Sequence, residues 1–389
     1  MGSAGKYLII IMIMIPVFSV AQEKPDYLSV DSLTYRYYIS GDWDKLISTG
    51  RHAIDSGLDY KFLRQRMGHA YFLKGKYFEA KTHFGKALAF DSFDQFSLEY
   101  LYYSYLNTGT EGFAGVLKER MNPRLKESLK AVGFKPLESI DLEYNYKVSG
   151  SSLRSDGLYY RFGAGSGLGH RVSLYQSFSN FSQTIMPGDT SELVIKQPDY
   201  YVLLNWNLSR HLILRTAYHY VHTVSGNSLF RGNLFRIALA PDFNRFIFEA
   251  NGSLTNMAGY SIYQTGIEAG FVFPGRSNFY LKETAAWLFQ PNGNSFVYSP
   301  KAGLMLWKGF WLEGNATIGR MFGYNDFNGL YVYNSYDQIV LRSGAGIVYY
   351  SGKHLTFWAN YTFEKKDFFE NSSFHYNQFS FLGGIKWKI

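Results

Sequence analysis

Residues 139–389 alternate in polarity, residue by residue, over most of their length. Ile140, Leu142, Tyr144, Tyr146 and Val148 are apolar, and Asp141, Glu143, Asn145 and Lys147 lie between them. Successive side chains of a strand point to opposite faces, so this stretch has one apolar and one polar face. The pattern returns at Tyr200–Leu208, Phe246–Leu254, Leu355–Phe363 and Phe379–Ile389. It recurs in about fourteen stretches, each long enough for a tilted strand of about 9–11 residues to cross a bilayer. Connections at 166–170, 209–211, 241–243, 274–277, 308–309 and 351–353 are short. Those at 182–198, 323–336 and 365–375 are long. Short turns at one end and long loops at the other predict a closed antiparallel transmembrane barrel of about 14 strands. An aromatic, Trp387, near the end of the last strand fits that class. One stretch resists: around 279–290 either choice of face turns Lys282 or Glu283 toward lipid, which predicts a bulge or a shifted register.

Composition supports export to a membrane. Aromatics make up 19% of the 389 residues, with 33 Tyr and 33 Phe, yet mean hydropathy is only −0.18. No later stretch is long and apolar enough for a transmembrane helix. Lys6, the apolar run from Tyr7 to Val20 and the small-residue site Ser19-Val20-Ala21 read as a cleavable leader over 1–21, with Gln22 the first mature residue. The chain has no cysteine, which excludes disulfides, thiolate metal sites and an acylated-cysteine anchor. The net charge of +8 is dispersed among acids, so no nucleic-acid partner is expected.

Between the leader and the barrel the periodicity changes. Tyr37, Tyr71 and Tyr105 are spaced by 34, as are Gly41, Gly75 and Gly109; Ala53 and Ala87 repeat, and Trp43 matches Tyr77. This resembles the tetratricopeptide repeat, a stack of helical hairpins. The central copy carries Gly68, Tyr71, Gly75, Tyr77, Ala80, Phe84 and Ala87 at the family's packing positions. Arg64 stands where the family has Trp, and Ser92 where it has Pro. A third copy keeps Tyr105, Gly109 and Ala114. The resemblance implies an α-helical domain over 22–135, in front of a barrel over 136–389. It also implies a concave face for a protein partner; a rigid spacer is the alternative. A last helix over 118–132 should end at Gly133, holding the helices close beneath the barrel. Replacing Gly75 by a bulky residue is expected to unfold the repeats.

Catalytic constellations are absent, so no enzyme, cofactor or metal site is expected. His219 and His222 are three apart and fall on opposite faces of a strand. The run Gly163-Ala164-Gly165-Ser166-Gly167 lacks a nucleophile-elbow spacing; its glycines make room for a neighbouring side chain. The polar face carries Asp141, Glu143, Arg161, Arg215, Glu249, Glu268, Glu313, Arg342, Lys386 and Lys388. Such rows either line an aqueous path or brace the wall as ion pairs. At the seam, Asp141 and Glu143 on the first strand should lie beside Lys386 and Lys388 on the last. The loop with Phe322, Tyr324, Asn325, Phe327, Asn328, Tyr331 and Tyr333 suits a glycan or small solute, or folds inward as a lid.

Leader, repeats and C-terminal barrel together resemble the YaiO-like outer-membrane proteins, and secondarily the exopolysaccharide exporters with a longer repeat array. The resemblance implies outer-membrane lipid and lipopolysaccharide as surroundings and a periplasmic helical domain. Three functions stand: a channel or export component whose repeats dock a partner, a non-conducting scaffold or assembly factor, and an outer-membrane enzyme.

Overall fold

The computed structural model describes residues 26–129, 134–187, 192–257, 259–275, 277–291 and 293–389; the expected leader and Gly133 lie outside them. Among the described residues seven α-helices come first: α1 Tyr27–Ser40, α2 Trp43–Asp55, α3 Lys61–Leu73, α4 Tyr77–Phe90, α5 Gln95–Asn107, α6 Glu111–Leu117 and α7 Pro123–Ser128. The first helix of each hairpin starts at 27, 61 and 95 and the second at 43, 77 and 111, so both series step by 34. Asp26, Asp42 and Asp94 cap α1, α2 and α5 by accepting from backbone N–H groups in their first turns. The apolar faces meet in one core that includes Leu46, Leu63, Met67, Tyr71, Phe84, Leu98, Leu101 and Tyr105.

Two glycines of the central copy do different jobs. Gly68 is a packing residue, because a Cβ there would stand 3.0 Å from the Phe84 ring. Gly75 has φ +70° just past α3 and nothing within 4 Å of its Cβ position. A left-handed backbone is its requirement, so any side chain there is strained even though the Cβ position itself is open. The helix expected over 118–132 is also corrected. A 3-10 turn at Lys118–Arg120 breaks, and Asn122 starts α7 by accepting from the Leu125 N–H, with Pro123 in the first position.

The strands are β1 Phe134–Ser149, β2 Gly157–Leu168, β3 Val172–Ile185, β4 Leu193–Ser209, β5 Leu212–Ser225, β6 Ser228–Pro241, β7 Phe246–Met257, β8 Tyr260–Val272, β9 Tyr280–Phe289, β10 Ser295–Trp307, β11 Phe310–Ile318, β12 Asn325–Asp326, β13 Tyr331–Val332, β14 Gln338–Ser351, β15 Leu355–Asp367 and β16 His375–Lys388. All except the small hairpin β12–β13 join one closed antiparallel barrel of fourteen strands, sealed by β1 against β16. Closure leaves no unpaired edge. The outer face is apolar and exposed, with Phe235, Ile237 and Leu239 successive on β6, while polar Arg236 and Glu249 are buried inside. No described helix is long and apolar enough to cross a membrane.

Two strand assignments change. The long loop expected over 182–198 is mostly strand, because β3 runs to Ile185 and β4 starts at Leu193 in a continuous ladder. Ser182 and Thr184 make the outer face polar there, which hid the strand pattern. In β9 no bulge occurs: register is continuous with both β8 and β10. Lys282 faces the lumen, paired with Glu268 at 2.9 Å, and Glu283 is the residue left on the outer face, opposite Pro300.

The helices dock on the barrel end formed by the turns after β2, β4 and β6. Lys81 and Asp242 form an ion pair at 2.9 Å with both side chains about 95% buried. Burial pushes the Lys81 ammonium down, against the raising effect of Asp242. Arg245 donates to both oxygens of Glu79, Arg171 pairs with Glu119, and the Tyr105 hydroxyl donates to the Arg210 carbonyl. In α6, Gly112 and Gly115 allow close approach to Asn207, Ile213 and the His170 carbonyl. Ile213 and Ala240 of the barrel wall join the helical core.

Candidate functional site: the lumen and its inward-folded segment

The lumen face of each strand carries every second residue, so the alternation that makes the exterior apolar delivers charge to the interior. Arg161 on β2 sits directly opposite Glu143 on β1. Its guanidinium reaches Asp141 at 2.6 Å and Glu143 at 3.2 Å. Asp141 faces Gly163, whose missing side chain leaves room for that carboxylate and the Tyr175 hydroxyl. Arg215 and Arg236 both pair with Glu249. Lys301 pairs with Glu313 at 2.9 Å, and Glu364 gathers Lys147, Arg342 and Lys366 within 3.5 Å.

The expected seam pairs are rearranged. Register does put Asp141 opposite Lys386. The carboxylate nevertheless turns to Arg161, whose planar fork bridges two acids at once. Lys386 enters no ion pair among the described residues. Lys388 leaves the seam altogether and pairs with Glu111 of α6 at 3.0 Å.

Residues 319–337, between β11 and β14, fold into the lumen and cross it. At one end Met321 and Tyr324 are fully buried against Ile262, Leu288 and Val297. Asn325 then clamps to β8: its N–H donates to Gln264 Oε1 at 3.0 Å, and Gln264 Nε2 donates back to its carbonyl at 3.1 Å. The hairpin β12–β13 turns through Asn328, at φ 62°, and Gly329. Their carbonyls take hydrogen bonds from Tyr201 and His219, both at 2.9 Å. Returning, Tyr331 donates to Glu143 at 2.6 Å, and Arg342 donates to the Tyr333 hydroxyl at 3.2 Å. The segment ends in a latch at the far rim. Arg154, buried in the β1–β2 loop, donates twice to Asp337 and once to Glu370, while Tyr376 and the Phe369 N–H also donate to Asp337. A cavity of about 720 Å³ remains, lined in part by Glu143, Arg161, Glu268, Asn325 and Trp358.

Sequence reasoning found the wall charges, with Lys147 on the polar face, but missed the latch residues Arg154, Asp337 and Glu370, and the partners Lys366 and Asp199. The dipeptide Asn328-Gly329 is the signal that could have located the tip, since both residues tolerate the left-handed backbone that it needs. His219 faces the lumen and lies 3.6 Å from Asp199, whereas His222 is on the outer face beside Tyr220. Among the described residues no group of His, Asp and Glu converges as a metal set.

No family model matches the chain, and no curated protein matches it. Solved structures do. A bacterial polysaccharide outer membrane secretin aligns with TM-score 0.43 at 8% identity, over 66% of this chain and 99% of its own. The CymD monoaromatic hydrocarbon channel aligns with TM-score 0.45 at 8%, over 66% and 89%. The outer membrane protein Omp33 of Acinetobacter baumannii aligns with TM-score 0.38 at 8%, over 66% and 100%. At these scores the functional reading rests on the geometry of the lumen itself.

Proposed function

We propose that this protein is an outer-membrane channel for small polar solutes, constricted from within by residues 319–337. The observation that carries the reading is the polar cavity inside a closed barrel whose exterior is apolar and whose lumen is crossed by its own segment. Ion-paired charge also braces closed walls, so it is the open space of about 720 Å³ beside the segment that favours a path over a pure anchor. The helical end faces the periplasm in this reading, since an even number of strands returns both ends of the barrel to one side. The helical domain is read as tetratricopeptide-like and the whole chain as YaiO-like, with the helices offering a docking face to a periplasmic protein. No catalytic role is proposed.

Conductance of the purified protein in planar bilayers tests the channel. We expect small discrete openings, which enlarge when Arg154→Ala releases the latch on Asp337. Silence from both proteins would overturn the channel and favour a membrane-anchored scaffold.

A further inference from the structure

Polarity on the outer face is uneven around the barrel. Down β6 the outward residues run Arg231, Asn233, Phe235, Ile237, Leu239, so a base and an amide precede the apolar band. On β4 Lys196 stands ahead of Tyr200, Val202 and Leu204 in the same way. His222 projects from β5 between them, and Asn180 and Asn256 flank them on β3 and β7. At a similar distance from the strand ends the opposite wall carries Tyr146, Tyr160, Trp287 and Phe379, with Lys365 standing apart on β15.

Register gathers the bases. Arg231 lies directly opposite His222, and Lys196 lies opposite Val224, the next outward residue of β5. Two strand spacings separate β4 from β6, which puts the two cations about 10 Å apart across the sheet. Both are exposed, and neither takes part in a hydrogen bond or ion pair among the described residues. Glu192, the nearest described acid along β4, lies four residues toward the loop. The amides add donors. Asn233 Oδ1 accepts from the Tyr218 hydroxyl at 2.7 Å and Asn256 Oδ1 from Ser261 at 2.8 Å, so their NH2 groups are what they offer. A face of cations and amide donors is complementary to an oxygen-rich anion.

We infer that the outer face of β4–β6, through Lys196, His222 and Arg231, binds the phosphate groups of a lipid headgroup in the outer leaflet. The inference rests on the orientation given above, with the helices in the periplasm, and not on conduction. Depth favours a lipid over a free ion. The cluster lies on the outside of the wall, just beyond the residues that face hydrocarbon, with Tyr200 and Tyr220 at the boundary where aromatic girdles sit. That is the level of the headgroups, and anionic headgroups attract basic side chains held there. The planar fork of Arg231 suits a phosphate, to which Lys196 adds a mobile point charge.

The test compares the full chain with the double variant Lys196→Gln/Arg231→Gln, both purified in detergent and titrated with lipopolysaccharide under native mass spectrometry. The parent should bind on the order of tenfold more tightly, from the loss of two charges at an anionic surface. Lys365→Gln, which removes one charge from the other wall, should bind like the parent. Lipopolysaccharide stripped of its phosphates should bind the parent no better than the double variant. Equal binding by parent and double variant, or binding that ignores the phosphates, overturns the site. Inorganic phosphate that displaces the lipid at equal concentration overturns the choice of a lipid. Heat-modifiable migration on gels checks that each barrel is closed, and Arg231→Gln alone replaces a double variant that fails. Orientation is read separately, and the absence of cysteine makes that reading clean. Asn227→Cys, in the β5–β6 turn, should react with a membrane-impermeant maleimide on intact cells. Reaction only after the cells are opened overturns the orientation, and with it the leaflet, whatever the titrations show.

Discussion

The helical domain and the barrel bury opposite parts of the same alphabet. In the helices Tyr71 and Leu101 are 2% and 1% exposed; in the barrel Phe235 and Ile237 are 54% and 56% exposed, while Gln378 is fully buried. One region packs apolar side chains against each other to escape water. The other turns them outward, where hydrocarbon receives them as readily as a protein core would, and keeps polar groups inside. Aromatic content hardly distinguishes the two regions. Period does: 34-residue helical recurrence in one, two-residue alternation in the other.

That contrast can be broken by truncating one apolar residue in each region. Leu101→Ala should destabilise the helical domain by about 2–5 kcal/mol, seen as a lower midpoint in urea followed by helical circular dichroism. Ile237→Ala should cost less than about 1 kcal/mol in a lipid bilayer, because acyl chains fill the space that the side chain leaves. A barrel as sensitive as the helices would mean that its outer face packs against protein.

Acid sharpens the comparison with a somewhat smaller effect. Burial, with the nearby Arg64 cation adding to it, pushes His83 down to about 4. A histidine that is harder to protonate when folded is protonated preferentially in the unfolded chain. Its stabilising contribution is therefore complete above about pH 6.5 and is lost as pH falls toward 4, amounting to about 2–3 kcal/mol over that window. Thermal melts of the helical signal should show this slope, and His83→Gln should flatten it. A slope that persists in the variant would locate the acid sensitivity elsewhere.

The smallest effect is expected where the two regions touch at the exposed seam end. Glu111 and Lys388 are 55% and 44% exposed as side chains. Glu111→Gln should loosen docking by less than about 1 kcal/mol, and added salt should erase even that difference. Limited proteolysis between α7 and β1 measures it. A large effect would show that this pair, and not the buried Lys81–Asp242 pair, holds the helices in place.

The sequence made the periodic parts of the fold legible and left the aperiodic ones hidden. Helix hairpins and strand faces leave recurring side-chain patterns, so the 34-residue step and the lumen charges could be read directly. Charge partners could not, because each lumen residue has neighbours on two strands. Asp141 faces Lys386 on one side, yet goes to Arg161 on the other. The ambiguity at Lys282 and Glu283 had the same origin: only the position of Glu268 decides which charge the lumen keeps. The inward segment was visible as an aromatic loop, but its anchors are carbonyls of Asn325, Asn328 and Gly329, and a backbone group has no letter of its own. The strand ends at Ser182 and Thr184 were missed because polar residues there sit on the outer face.

The placement of the helices has a consequence for the order in which the molecule comes together. Apart from the exposed Glu111–Lys388 pair, they grip the turns after β2, β4 and β6, all in the first half of the barrel, whereas the closing ladder joins β1 to the last strand. Entropy lost on closing a loop grows with its length, and contacts distant in sequence form slowly. Early strands can therefore gather on an already folded platform while the later ones are still being synthesised or inserted. A helical domain that folded first would serve as a template, shortening the search for the one pairing that removes the last free edge.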